Sequence, residues 1–495
     1  MEKGQILSGI SIEDISNTGN GIGRYNGMAV FVSDTVPGDV VSARVTAVRK
    51  NYAIGVLAAL EQPSPDRIPS DCPYEKMCGG CAFRGISYEA ELALKEKQVR
   101  DKLTRIAGLE SPDLAPIIGA EQILRYRNKA QFPVSTGGIV TRKGGIVSPV
   151  SKPKVGFYAR GTHDLTDLED CLLQSRGALA AASALRRFME EDHITAYDEK
   201  WQKGLIRHLI VKTAEDTGEV MVILVINGKG IPNVEKLARM FDEAIAETGY
   251  GLESLVLNIH QGKSSRITGE EYKVIAGKPT ILSECRGLQF EVSPAAFYQV
   301  NPRQTEVLYG KVEEYAGLKG DETVFDLYCG VGTIGLVLAD RMRKIKPEKP
   351  GKVYGIEAVK GAVIDANRNA VINGLVNAEF FCGLAEEKIH DLIDGYTDRD
   401  GFFTPGKAPD IVIVDPPRSG CDASLLETIQ KAAPKKIIYV SCDAATLARD
   451  IRILSGRYEL KEATPVDMFP RCGNVEVVSL LVRKGREQDG MVQDF

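Results

Sequence analysis

The chain has 495 residues, with 43% hydrophobic and 26% charged side chains, an ordinary balance for a globular protein of about two to four domains. It carries no long uncharged apolar run, and Met1-Glu2-Lys3-Gly4 does not open a signal peptide, which excludes a membrane-spanning or exported class and predicts a cytoplasmic protein. The net charge of −5 says nothing for or against a nucleic-acid partner, because local patches matter more than the sum.

Residues 1–60 predict a small β-barrel. Apolar and polar residues alternate in Met28–Val32 and Val40–Val45, and Asn17-Thr18-Gly19-Asn20-Gly21, Asn26-Gly27 and Pro37-Gly38-Asp39 supply turns. Such barrels often bind nucleic acid. Pro63, Pro65 and Pro69 mark a linker. Residues 61–284 form a central, β-rich domain in this reading. It opens with Cys72, Cys78 and Cys81, the last after Gly79-Gly80. Clustered thiols in a long cytoplasmic chain favour metal or catalysis over disulfides. The two glycines let backbone wrap closely around a bound group. Cys171 is the distant fourth ligand, and four thiolates suit zinc or a [4Fe–4S] cluster alike.

Leu92, Val99, Leu103 and Ile106 recur at helical spacing, so 88–107 reads as an amphipathic helix that Gly108 ends, free to pack on the last domain. From about 120 to 280 the pattern is strand-like, with turns at Gly137-Gly138 and Gly144-Gly145. Within it, residues 121–160 hold Arg125, Arg127, Lys129, Arg142, Lys143, Lys152, Lys154 and Arg160 against Glu121 alone, interleaved with Tyr126, Phe132, Phe157 and Tyr158. Cations for phosphates and rings for bases make this window the candidate RNA surface. An isolated basic run is more often a solvated loop face.

Residues 285–486 alternate strands with helices and predict a doubly wound, Rossmann-like α/β domain; 487–495 is a polar tail. Val324–Leu327 is followed by Tyr328-Cys329-Gly330-Val331-Gly332-Thr333-Ile334-Gly335, a glycine loop opening a helix. Asp326 before it disfavours a pyrophosphate and suits the cationic amino-acid end of S-adenosylmethionine. Glu357 ends the second strand, placed to accept ribose hydroxyls. Asp415 ends the Ile411–Val414 run before Pro416-Pro417, whose rings stiffen a substrate loop. Lys436–Val440 delivers Cys442 to a strand's C-terminal end, and Glu476 opens a final apolar strand. A thiol nucleophile, a carboxylate base and a cofactor site in one domain predict covalent catalysis.

With these residues assembled, the chain resembles the RNA uracil-5-methyltransferases, and within them the group with an N-terminal TRAM domain and an iron–sulfur cluster that makes 5-methyluridine in 23S ribosomal RNA. Residues 1–60 are similar to TRAM. Tyr126–Pro133 and Ser293–Asn301 resemble family signatures. The resemblance implies Cys72, Cys78, Cys81 and Cys171 as [4Fe–4S] ligands. It implies Gln299, Tyr328, Asp326, Gly330, Gly332, Thr333, Glu357 and Asp415 around S-adenosylmethionine, Cys442 as nucleophile, Glu476 as base and Asp415 orienting the ring. The expected partner is RNA, 23S ribosomal RNA first, with no membrane and a monomeric enzyme. Three positions depart from the family pattern: Asp443-Ala444 stands for Asn-Pro, Arg471-Cys472-Gly473-Asn474 for a His-Thr-x-His run, and Phe83-Arg84 for Gln-His. Transfer RNA as substrate, or an inactive redox-responsive RNA-binding protein, are the competing readings. A small-molecule methyltransferase would leave the first 280 residues without purpose.

Overall fold

A computed structural model describes residues 1–136, 139–141, 147–149, 152–264, 266–397 and 403–485. The turns expected at Gly137-Gly138 and Gly144-Gly145, the cations Arg142 and Lys143, and the tail 487–495 lie outside the described residues.

Strands Ile6–Ile15, Gly21–Tyr25, Met28–Ser33, Val40–Val48 and Tyr52–Gln62 close into a barrel. Alternation turns Leu7, Ile10, Val30, Val32 and Val41 into its core, and closure leaves no free edge. Ser87 caps the helix Tyr88–Arg105 by accepting the Ala90 N–H. Val99 and Leu103 on this helix share a core with Leu447, Ala448 and Ile451 of the helix Ala444–Leu454. The first helix therefore belongs spatially to the C-terminal domain.

The central domain is a seven-stranded sheet in the order Leu165–Asp167, Lys154–Tyr158, Lys129–Ser135, Ile206–Ala214, Glu219–Ile226, Gly251–Ile259, Glu271–Gly277. Two helices, Arg176–Glu191 and Val234–Ala246, cover one face. The expectation of strands alone across 120–280 missed both. The other face, through Ile210, Met221, Ile223 and Val225, packs on Ile281, Val292, Ala296 and Val331. The expected boundary at 284/285 falls inside the hairpin Ile281–Cys285/Leu288–Val292. The seam between the domains is thus a packed strand pair.

The C-terminal sheet runs Ala378–Cys382, Lys352–Glu357, Thr323–Leu327, Ile411–Val414, Lys436–Ser441, Glu476–Arg483, Tyr458–Val466. The first five strands are parallel, and Glu476–Arg483 inserts antiparallel. Strand order reverses between Thr323–Leu327 and Ile411–Val414, where such sheets open a crevice at their carboxyl ends. The antiparallel strand begins where its parallel neighbour ends, so its first residue meets that same edge.

Candidate active site

Three neighbouring strands deliver the reactive groups. Val414 pairs with Tyr439, and Ser441 pairs with Val477. One residue beyond those pairs stand Asp415 and Cys442, with Glu476 beside Cys442 at the head of its own strand. The structure brings all three together. Glu476 is 4% exposed, and burial pushes its carboxyl up to about 8, with Asp415 adding and Arg418 opposing. Burial lifts Asp415 to about 7. Burial also raises the half-buried Cys442 thiol to about 11, reinforced by Glu476 and Asp415 and again opposed by Arg418. Arg418 is the positive member of this group, and the sequence reading gave it no role.

Asp443 explains one departure. Its Oδ1 accepts the Ala445 and Thr446 N–H groups at 2.8 and 3.3 Å, capping the helix Ala444–Leu454. Aspartate and asparagine cap equally well, and alanine is tolerated at the first helical position that proline favours. Cys442 is held the same way by either sequence.

The glycine loop borders the crevice. Tyr328 takes φ 63°, a left-handed value strained for a tyrosine, and Gly332 at φ 81° passes so close to Phe380 that a Cβ would lie 2.8 Å from its ring. Asp326 is fully buried. Its Oδ2 accepts the Gly335 N–H at 2.9 Å, while Oδ1 has no partner. Burial pushes Asp326 up to about 7, helped by the charges of Asp415 and Glu357. Glu357 accepts the Gly330 N–H at 3.1 Å and the Val359 N–H at 2.8 Å, so it braces the loop from behind. Phe297, Gln299, Tyr328, Gly330, Thr333 and Asp415 line the crevice, with Asp326 at its floor. Tyr309 OH meets Thr333 Oγ1 at 2.8 Å. Lys212 anchors the segment that carries Gln299: its Nζ donates to Ser293 O and Ala296 O at 2.8 Å each, and burial lowers it to about 7. Phe297 is 62% exposed at the crevice mouth. The sequence reading missed it, although an aromatic two residues past the Ser293-Pro294-Ala295 turn was the available signal.

The tRNA (uracil-5-)-methyltransferase family model matches residues 275–484, and the TRAM domain model matches residues 4–58. An RNA methyltransferase of Bacillus cereus is 38% identical over 97% of this chain and 98% of its own length. One from Caldanaerobacter subterraneus is 40% identical over 96% and 97%. The chain belongs to the RNA uracil-5-methyltransferase family. The solved tRNA (uracil-54, C5)-methyltransferase of Pyrococcus abyssi, in complex with S-adenosyl-L-homocysteine, superposes with TM-score 0.71 at 26% identity, covering 96% of this chain and 100% of that one. The present protein is accordingly an S-adenosylmethionine-dependent RNA methyltransferase with an N-terminal TRAM barrel. Among the described residues, no helix is long and apolar enough to cross a membrane.

In this methyltransferase Cys72, Cys78, Cys81 and Cys171 line one cavity of about 140 Å³, with Arg84 and Arg127 also on its wall. Burial raises the Cys78 thiol, and Cys171 and Cys72 add to it. Among the described residues, no three His, Cys, Asp or Glu side chains converge as ligands of a single metal ion. Gly79 passes within 3.1 Å of the Arg160 backbone, counted from where its Cβ would stand, and its N–H donates to Tyr158 O at 3.0 Å. Arg84, one of the departures, is 4% exposed. It reaches exposed Asp71 at 2.7 Å, yet none of its three guanidinium nitrogens makes an aligned hydrogen bond.

Among the described residues, the basic window is part-buried over 125–129 and exposed at Lys152, Lys154 and Arg160. Arg125 donates to Cys171 O at 2.7 Å and pairs with Asp170 at 2.7 Å. Arg127 reaches Cys472 Sγ at 3.4 Å, and Tyr126 OH donates to Pro470 O at 2.9 Å. Phe132 is buried against Phe157. Lys152, Lys154, Tyr158 and Arg160 remain exposed. A run of alternating cations and rings is also what a strand shows when it pairs its charges with neighbouring loops.

Proposed function

We propose that this methyltransferase modifies carbon 5 of a uridine in 23S ribosomal RNA through a covalent cysteine–uracil adduct. The observation that carries the carbon-5 chemistry is the meeting of Cys442, Glu476 and Asp415 at one sheet edge beside the glycine loop, while 23S ribosomal RNA as the substrate rests on the family resemblance. Carbon 5 of uracil is a weak nucleophile. Cys442 thiolate adds to carbon 6, and the displaced electron pair makes carbon 5 enolate-like. When bound, S-adenosylmethionine supplies an electrophilic methyl group, which carbon 5 takes. Glu476 then accepts the carbon-5 proton, the carbon 6–sulfur bond breaks, and Cys442 leaves as thiolate. Asp415 orients the ring edge, and the uridine must leave its stack to arrive.

The residues fit this cofactor. Burial holds Asp326, Asp415 and Glu476 above their usual range at one edge, and a cationic ligand there would favour their charged forms. Asp326 Oδ1 is left without a partner there. Gln299, Tyr328, Gly330 and Thr333 would border the ligand; Gly332 shapes the loop, and Glu357 would turn to the ribose hydroxyls.

The same reading makes Cys72, Cys78, Cys81 and Cys171 the ligands of a [4Fe–4S] cluster. Four thiols lining one cavity are the donor set such a cluster takes. The buried Arg84 guanidinium on the wall, already paired with exposed Asp71, would also face a group of net negative charge. The cluster, when bound, cross-links the loops that carry its ligands.

A second reading, the T-loop uridine of transfer RNA, is favoured by the Pyrococcus abyssi neighbour, a tRNA (uracil-54, C5)-methyltransferase. Incubation with labelled cofactor and unmodified ribosomal and transfer RNA, followed by mapping of 5-methyluridine, decides between them. Label in 23S RNA supports the proposal, label in transfer RNA alone supports the second reading, and no label in either sinks both.

A further inference from the structure

The strand Lys129–Ser135 connects the cofactor segment to a second cavity. At its head, Asn128 donates its side-chain amide to Gln299 O at 2.9 Å and its N–H to Val300 O at 2.9 Å. At its tail, about 20 Å away at some 3.3 Å per residue, Val134 walls a cavity of about 230 Å³ in the central domain.

The cavity is furnished with rings. Tyr158, 40% exposed, meets His163 edge-on with centroids 5.6 Å apart. The Arg207 guanidinium lies 4.1 Å from the Tyr197 ring centre and is fixed there by His260 O and Gly262 O, both 3.1 Å away. His208 Nδ1 is buried with no hydrogen-bond partner; burial, then Arg207, hold the imidazole neutral at about 4. Asp198, Glu199 and Lys200 complete the wall. Directly after them stands Trp201, the only tryptophan in the chain, 60% exposed with Lys200 Nζ 5.4 Å from its ring centre. Asp198 and Glu199 are balanced by Lys200 and Arg207, so the wall has no net charge that would select a phosphate. The carboxylates suit the donor edge of a flat heterocycle, with rings to stack on it.

We propose that this cavity binds an unpaired nucleobase bearing an exocyclic amino group, from the same RNA strand whose uridine enters the crevice. The site reads a second position of the substrate and sets its register. This inference rests on the proposed RNA methylation.

Trp201 is the sole tryptophan, so tryptophan fluorescence reports the segment that follows the cavity wall. The full-length protein is titrated with the RNA shown to accept methyl. Fluorescence should change saturably with binding. Trp201→Ala and Tyr158→Ala, both at exposed positions, should each weaken RNA binding by about five- to a hundredfold, one stacked base's worth. S-adenosylmethionine affinity should stay as in wild type, which also verifies the fold. An RNA with uracil at every amino-bearing unpaired position near the target should bind both variants and wild type alike. If methylation proceeds, yet fluorescence is flat and both variants bind RNA as wild type does, the cavity is not a base site and the methylation reading stands. If wild type methylates no RNA, the methylation reading fails first and takes this inference with it.

Discussion

At the active edge, the protonation of the proposed base Glu476 should set when the enzyme works. A base must be ionised to take the carbon-5 proton, and burial holds Glu476 at about 8. The Cys442 thiol, raised to about 11, must also lose its proton. Both requirements run in the same direction, so kcat/KM should climb from pH 6 through pH 8 and beyond. Arg418 opposes the rise of both groups. Arg418→Ala should therefore push the climb to higher pH, which a pH–rate profile of single-turnover methylation would show; an unmoved profile would remove Arg418 from the site. Substitutions separate the two roles. Cys442→Ala should abolish both methylation and any RNA adduct. Glu476→Gln should slow turnover by about 10²–10⁴-fold while a methylated covalent complex builds up, visible as a retarded band of labelled RNA on a denaturing gel. An adduct through another thiol, such as Cys472, would overturn the assignment. Cys442 and Glu476 were legible because each sits where an apolar run meets a polar one. Arg418 and Phe297 were not, since their meaning comes from neighbours far away in sequence. Asp326 and Glu357 were legible as strand-end acids, but their bonds to Gly335, Gly330 and Val359 depend on how the loop folds back.

Among the elements, the loop before Glu476 is held by a buried ionic clamp. Lys95 reaches Glu91 and Asp467 at 2.7 Å each, and all three side chains are fully buried. Glu91 Oε1 also accepts the Arg471 N–H at 2.7 Å, and Tyr88 OH donates to Asp467 at 2.8 Å. This clamp accounts for the second departure: Arg471 stands at φ 67° with its side chain donating to Ile86 O at 2.7 Å. Lys95→Met would strand two buried carboxylates and should destabilise the catalytic domain by about 3–5 kcal/mol, measurable as an earlier urea transition; an unchanged transition would show the clamp to be dispensable. The amphipathic character of the Tyr88–Arg105 helix was legible, but a lysine and a glutamate on its buried face were not, because periodicity counts apolar residues only. The helix Arg176–Glu191 escaped for a related reason. Its buried face is mostly alanine, Ala178, Ala181, Ala182 and Ala184, beside Leu185 and Phe188, and small residues mark a stripe weakly. The basic window divides, with Lys152, Lys154 and Arg160 facing solvent and Arg125 spanning to a carbonyl, a difference that composition cannot tell.

Across the whole molecule, the cysteine segment and the barrel both converge on that one loop. From the cysteine segment, Ala82 and Phe83 N–H both donate to Arg471 O, at 2.9 and 3.1 Å. Cys472 Sγ lies 3.7 Å from Gly80 O. If the four cysteines hold a cluster, its removal loosens this contact. Protein purified without oxygen should then carry about four irons with broad visible absorption, and stoichiometric zinc without iron would refute it. From the barrel, Asn17 presses on Gly473 so closely that a Cβ there would stand 2.0 Å from its carbonyl oxygen. Gly473 thus lets the RNA-binding barrel touch the segment three residues before the proposed base. Gly473→Ala must push barrel and loop apart, and a displacement of about 1 Å at reacting groups lowers rate by roughly a hundredfold. The expected result is a fall in kcat of that size with S-adenosylmethionine affinity unchanged, since the glycine loop lies on another strand. Isothermal titration alongside single-turnover methylation would measure both. A full kcat in Gly473→Ala would mean that the barrel's position is not transmitted to Glu476, and that barrel and base act independently.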